Sequence, residues 1–310
     1  MKFSARGYAL AIGFLSVAAG VGPGVARGDA IYVTSFGANT VSEYTGSGST
    51  INSSLITAGL NGPAGIAADS SDLYVTNSNG NTVGKYTLAG GTVNTALISS
   101  GLSGANGVAV NGTDLYVGSY FGGNVGKYTT TGATQTVPLI SVTNPVGIAV
   151  SGSNLYVVNN GSSEIGEYTT SGITENASLI TGLSDPYGIA ISGNDLFVTN
   201  DTAGTIGEYT LSGGIVNTSL ITGLSDPFGI AIYGDDLFVT NDNGSNGYVG
   251  EYTTSGGTIN THLITGLDNP TGIVAVPEPT SVGLLGVAAT VLLGARARRS
   301  RLPAAYSFGG

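Results

Sequence analysis

SLITGLSDPFGIAIYGDDLFVTND, residues 219–242, has a near copy in SLITGLSDPYGIAISGNDLFVTND, residues 178–201. Each copy holds two β-branched and aromatic runs parted by a short turn built on Gly and Asp, which predicts a pair of short strands. Working outward, the second run recurs as IYVTS (31–35), LYVTN (73–77), LYVGS (115–119), LYVVN (155–159), LFVTN (196–200) and LFVTN (237–241), at steps of 42, 42, 40, 41 and 41 residues. A third run follows each one: VSEYT at 41, VGKYT at 83 and 125, IGEYT at 165 and 206, and VGEYT at 249. A Leu-Ile pair closes each unit, at 55, 97, 139, 179, 220 and 263.

Four strand-like runs in a period of about 40 residues predict a propeller blade. The repeat opens on the second strand type at 31–35 and ends on the first at Gly272 to Val276. The leftover last strand therefore completes the first blade. The expected fold is all-β: a six-bladed β-propeller of four-stranded blades over residues 31–276, its ring closed by the C-terminal strand. Pro138 falls on a fourth, outermost strand, where a proline is tolerated. The chain has no tryptophan, so the Trp-Asp marks of WD40 repeats are absent.

The units resemble NHL-type repeats, whose Pro-x-Gly-Ile-Ala phrase stands here as PAGIA (63–67), PVGIA (145–149), PYGIA (186–190) and PFGIA (227–231). This chain departs from them after the Tyr-Val strand, with Asn77, Asn159, Asn200, Asn241, Ser35 and Ser119 where such repeats usually carry Asp. The resemblance implies that the Gly-Ile-Ala strands line a central channel. Related gluconolactonase-type hydrolases place carboxylate and amide metal ligands there, whereas these strands offer only apolar side chains. A hard cation wants several oxygen ligands. A non-enzymatic binding or structural module is therefore the expectation. The alternative is an NHL- or gluconolactonase-like metal-dependent hydrolase or lyase with ligands borne on loops.

The loop entering each first strand and the loop leaving each second strand should share one face. On it fall Asp185, Asp201, Asp226, Asp242 and Asp268, with Tyr187 and Phe228 at the channel rim beside Ala64, Asn106, Val146 and Thr271. These residues predict an acidic, aromatic-rimmed patch for a divalent cation such as calcium, or for a glycan. The alternative is that Asp and Asn merely shape the turns. No other cofactor is expected, and no catalytic residue is assigned. The one histidine, His262, belongs to an outermost strand, which leaves a Ser-His-Asp arrangement without geometry. Glu43, Lys85, Lys127, Glu167, Glu208 and Glu251 share one third-strand position, read as solvated decoration.

Composition narrows the partners. Between residues 31 and 279 stand two lysines, no arginine and eighteen acidic residues, a net of −16. A phosphate backbone would be repelled, which excludes nucleic acid. The chain has no cysteine, so no disulfide supports it.

The ends carry an address. Residues 1–30 read as a secretory signal peptide: Lys2 and Arg6, an apolar stretch from Tyr8 to Gly22, then Gly28 and Ala30 before a cut after Ala30, with a cut after Ala26 as the second choice. Residues 277–310 run Pro277-Glu278-Pro279, an uncharged segment over 281–295, then Arg296, Arg298, Arg299 and Arg301. This order resembles the PEP-CTERM sorting signal of exopolysaccharide-making Gram-negative bacteria. It implies export, transient anchoring of 281–295 in the inner membrane, and processing by an exosortase-type peptidase. The expected location is the cell envelope or the extracellular matrix, with exopolysaccharide or envelope proteins as partners.

Overall fold

The computed structural model describes residues 29–277. Most of the signal peptide reading, residues 1–28, and most of the sorting segment lie outside the described residues. Six four-stranded antiparallel sheets follow one another around a ring. In blade two the strands run outward in chain order: Pro63–Ala68, Asp72–Asn77, Thr82–Thr87 and Thr92–Ile98. Blades three to six repeat this order from innermost strands Ala105–Asn111, Pro145–Ser151, Pro186–Ser192 and Pro227–Tyr233. Blade one is assembled from both ends of the domain. Its innermost strand is Pro270–Pro277, paired antiparallel with Asp29–Ser35 through Ile31 with Ala275, Tyr32 with Val274 and Val33 with Ile273. The closure read from the offset ends is the one observed.

Asp29 and Ala30 belong to that ladder, opposite Pro277 and Val276, and both are buried. A cut after Ala30 would strip two paired residues from the closing sheet. A cut after Ala26 would leave the sheet whole.

Both faces of each blade pack against neighbours, so its middle strands read as near-continuous apolar runs. The hydrophobic clusters lie between consecutive blades. One joins Tyr32, Val41 and Ile56 of blade one to Ile66, Leu73, Val75 and Tyr86 of blade two; another joins Phe197, Ile206 and Ile221 of blade five to Ile230, Leu237, Val239 and Tyr252 of blade six. Among the described residues the large exposed apolar groups lie on the outermost strands (Ile51, Val93, Ile215, Val216 and Ile259), in the turn before one of them (Ile173) and in a loop (Phe121).

The Pro-x-Gly-Ile-Ala phrase has a physical explanation at the ring's centre. Proline opens the innermost strand, where no inward donor is needed, and the register shifts between Pro63 and Ile66. The glycine lets adjacent inner strands touch. A Cβ on Gly147 would lie 2.5 Å from the Tyr187 carbonyl oxygen, and one on Gly107 would overlap the Val146 carbonyl oxygen. A hydroxyl relay runs across four of the six seams. The Gly65 N–H donates to Thr76 Oγ1 (2.7 Å), which donates to the Asn106 carbonyl of the next blade (2.5 Å). Thr34, Thr199 and Thr240 bridge Gly272, Gly188 and Gly229 to Ala64, Phe228 and Thr271 in the same way. Gly118 and Val158 occupy the equivalent positions in blades three and four.

The lysines correct one expectation. Lys85 and Lys127 are not solvated decoration beside Glu43 and Glu167; each is mostly buried against the second strand of its own blade. Lys85 Nζ sits 3.1 Å from Asp72 and 5.3 Å from the Tyr74 ring centroid. Lys127 Nζ sits 2.9 Å from Asp114 and 5.5 Å from the Tyr116 ring centroid. Glu251, in the same column, is buried. Packed blades shield this column from water, which a strand-by-strand reading misses.

Candidate functional site

At one mouth of the channel the inner strands open into a funnel of about 510 Å³. Its floor is a ring of β-branched side chains, Ile66, Val108, Ile148, Ile189, Ile230 and Ile273. Ala64, Asn106, Val146, Tyr187, Phe228 and Thr271 form the rim, as the repeat alignment predicted. Phe36, Ser78, Tyr120, Phe121, Asp242 and Asn269 form the upper wall.

One backbone rule, repeated per blade, holds this wall. The residue after each second strand donates its N–H to the carbonyl of the residue before the inner strand of the same blade. The pairs are Phe36 to Asn269 (2.9 Å), Ser78 to Gly62 (2.8 Å), Tyr120 to Gly104 (2.9 Å), Asn160 to Asn144 (3.2 Å), Asp201 to Asp185 (3.0 Å) and Asp242 to Asp226 (2.9 Å). Each acceptor residue has positive φ, from 47° at Asp226 to 66° at Gly104. That left-handed position suits Gly, Asn and Asp. The last residue of the second strand ties down the loop: Asn77, Asn200 and Asn241 Oδ1 accept from the N–H groups of Asn61, Ser184 and Ser225, and Ser119 Oγ accepts from Ser103.

The predicted residues therefore separate. Tyr187, Phe228 and Asp242 meet in the funnel, with Tyr187 and Phe228 at 4.2 Å between ring centroids. Asp185 and Asp226 occupy the left-handed turn position, and Asp185 Oδ1 also accepts from Asn160 Nδ2. Asp268 packs over Gly37, whose N–H donates to its carbonyl, and it does not line the funnel. Asp201 stands in the same column as Asp242, one blade back. Its Oδ1 is buried and accepts no hydrogen bond among the described residues. The Asp242 carboxylate is oriented by Asn269 Nδ2, at 3.1 Å from Oδ1 and 3.4 Å from Oδ2.

Sequence reading missed the aromatic half of the wall: Phe36, Tyr120 and Phe121. Tyr120 and Phe121 meet edge to face at 5.1 Å, and Phe121 is 76% exposed. The signal was available, because Phe36, Ser78, Tyr120, Asn160, Asp201 and Asp242 form one column directly after the second-strand phrase.

Burial, then the charges of Asp226, Asp185 and Asp242, push the Asp201 carboxyl up to about 6. Burial, helped by neighbouring Tyr120, Asp185 and Asp201, pushes Tyr187 up to about 12. An acid with a raised folded-state pKa binds more protons folded than unfolded, so its ionisation costs stability. That cost is absent below about pH 4, the unfolded value, grows as pH rises, and is complete above about 6. Asp201→Asn is therefore expected to raise the melting temperature at pH 8 by about 2–4 °C, corresponding to about 1 kcal/mol after solvent screening. At pH 4 the difference should vanish. Equal melting shifts at both pH values would refute the electrostatic origin.

The metal centre implied by the gluconolactonase resemblance does not fit. Among the described residues, no three His, Asp or Glu side chains converge closely enough to hold an ion.

Fold and funnel together define a six-bladed propeller with a ligand-sized, aromatic and acidic mouth. The chain belongs to the virginiamycin B lyase family, whose model matches residues 24–249. Among solved structures it is similar to a streptogramin B lyase, at 23% identity and a TM-score of 0.58, covering 80% of this chain and 87% of that one. It is also similar to a catalytically inactive histidine-to-alanine variant of virginiamycin B lyase from Staphylococcus aureus, solved with quinupristin. There the identity is 19% and the TM-score 0.54, over 76% of this chain and 85% of that one. A chain of a nidogen/laminin complex matches at 16% identity and a TM-score of 0.66, covering 81% and 99%. At these identities the neighbours establish the fold alone. No curated protein sequence matches.

Family membership corrects the expectation of a non-enzymatic module. That expectation rested on the apolar inner strands. Polar groups reach this channel from the rim and loops instead, through Asn106, Thr271, Asn269 and Asp242.

Proposed function

We propose that this protein is a lyase-like enzyme that carries out elimination in the funnel, with the acidic pair Asp201 and Asp242 as its base. The observation that carries the reading is an apolar, aromatic cavity with the Asp242 carboxylate in its wall; the Asp201 carboxyl, one blade back in the same column, is pushed up to about 6. A general base works best when its pKa lies near the operating pH. Asp242 faces the cavity, and Asp201 is the member suited to hold a proton near neutrality.

In such a step the base removes a proton from a carbon next to a carbonyl. The C–H electron pair becomes a C=C bond as the neighbouring C–O bond breaks, and the leaving oxygen takes up a proton. No water is consumed.

The histidine-to-alanine variant of the S. aureus relative is catalytically inactive. This chain has one histidine, His262, exposed on the outermost strand of blade six and stacked on Tyr248 at 4.2 Å. It lies away from the funnel, so the base here is carboxylate rather than imidazole.

The purified chain should be incubated with streptogramin B compounds and a panel of esters and lactones in ¹⁸O-labelled water, with and without EDTA. Elimination predicts products without ¹⁸O and a rate that rises through about pH 6. Asp201→Asn and Asp242→Asn should each lower kcat/KM by about 10²-fold or more. Label in the product would make the protein a hydrolase, and no turnover across the panel would overturn the reading.

The proposed address is the cell envelope or extracellular matrix, reached through the N-terminal signal and the PEP-CTERM-like segment, with an exosortase-type peptidase as processing partner. The −15 net charge of the region between the two signals, residues 31–276, supports a solvent-facing domain that avoids other polyanions.

A further inference from the structure

We propose that the funnel selects an organic cation, a tertiary or quaternary ammonium group carried on an apolar body. This deepens the lyase reading by naming the chemical class its cavity takes. The argument starts from charge. Asp242 lines this mouth, Asp201 one blade back feels the charges of Asp226, Asp185 and Asp242, and no lysine or arginine lines the wall. The two lysines of the described residues are engaged elsewhere, Lys85 with Asp72 and Lys127 with Asp114.

A cluster of carboxylates alone would suit a metal ion, but no three of these groups converge to coordinate one. The rest of the wall suits a different cation. Phe36, Tyr120, Phe121, Tyr187 and Phe228 surround the cavity above a floor of Ile and Val. Aromatic faces attract ammonium groups through their ring quadrupoles, while a hydrated metal ion gains little from such walls.

Asp242, oriented by Asn269, supplies a fixed negative charge in the wall. Asp201 supports this from one blade back: its Oδ1 is buried and unpartnered, and its raised proton affinity comes first from burial and then from the negative field of Asp226, Asp185 and Asp242. A bound cation would relieve that field, and the cation's apolar body would cover the Ile and Val floor. A volume of about 510 Å³ accommodates a molecule of that kind.

The test compares two probes of one shape, (4-hydroxyphenyl)trimethylammonium and neutral 4-tert-butylphenol, titrated calorimetrically into the full purified chain. At pH 7.5 the cation is expected to bind about 10-fold tighter or more, and to weaken in 0.5 M NaCl. Its affinity should fall as pH drops below about 6, where Asp201 takes a proton. Asp242→Asn should cost the cation about 10-fold and leave the neutral probe unchanged. Phe228→Leu should weaken both.

Equal affinity for the two probes would overturn the inference, as would a cation affinity indifferent to both Asp201→Asn and Asp242→Asn, or no binding of either. Binding is read apart from turnover. Cation preference without elimination sinks the lyase reading and keeps this one, and turnover of neutral substrates without cation preference does the reverse.

Discussion

Truncating the chain before Pro270 is expected to abolish the cooperative thermal transition of the entire propeller, while truncation after Pro277 leaves it in place. Residues 270–277 form the innermost strand of the blade that also holds Asp29–Ser35. Their loss removes the ladder to that strand and the burial of Ile273 and Val276. It also removes the Thr271 hydroxyl bonds to the Pro63 and Ala64 carbonyls (3.0 and 3.1 Å) and the Gly272–Thr34 bond. Two apolar side chains at about 1.5–3 kcal/mol each and several hydrogen bonds at about 1 kcal/mol each approach the total stability of an ordinary domain. The ring would also open, and the inner faces of blades two and six would meet water. Circular dichroism melts of the two truncated chains decide the matter. Melting temperatures within a few degrees of each other would mean that the blades stand without closure.

Gly107→Ala is expected to lower the melting temperature by about 10 °C, corresponding to about 3 kcal/mol of overpacking. The new methyl would meet the Val146 carbonyl oxygen, and both partners are backbone of packed inner strands. Neither can rotate away as a side chain would. Gly112→Ala is the control: Gly112 has φ +59° and nothing within 4 Å of the position a Cβ would take. Its cost should be the backbone term alone, about 1 kcal/mol. If the two variants melt together, the close approach of neighbouring inner strands does not govern stability.

Family membership and the funnel move attention from the strands to the loops. The expectation of a passive module came from six inner strands that carry apolar side chains, and that description of the strands holds. The proposed chemistry lies one residue further out, where rim side chains meet Phe36, Ser78, Tyr120 and Asp242 of that column. Sequence reading found two of the six members of this column because Asp201 and Asp242 belong to the near-identical blades. It passed over Phe36, Tyr120 and Phe121, which belong to blades whose loops have diverged.

What the sequence by itself determined is the periodic part of this protein. The fourfold phrase and its offset ends specify four strands per blade, six blades and a closing strand, because strand formation and register depend on local pattern and turn chemistry. The rim positions of Tyr187 and Phe228 follow from the same count. Only the tertiary structure decided how single columns meet across the ring. It turned Asp185 and Asp226 into turn formers, drew Asp268 away from the cavity, brought the diverged aromatics to the wall that holds Asp242, and packed Lys85 and Lys127 against the second strands of their own blades. The reason is physical: a column in a repeat has one sequence position but six neighbourhoods. Burial, charge coupling and cavity shape depend on the residues facing it across the axis, which lie one or more periods away along the chain.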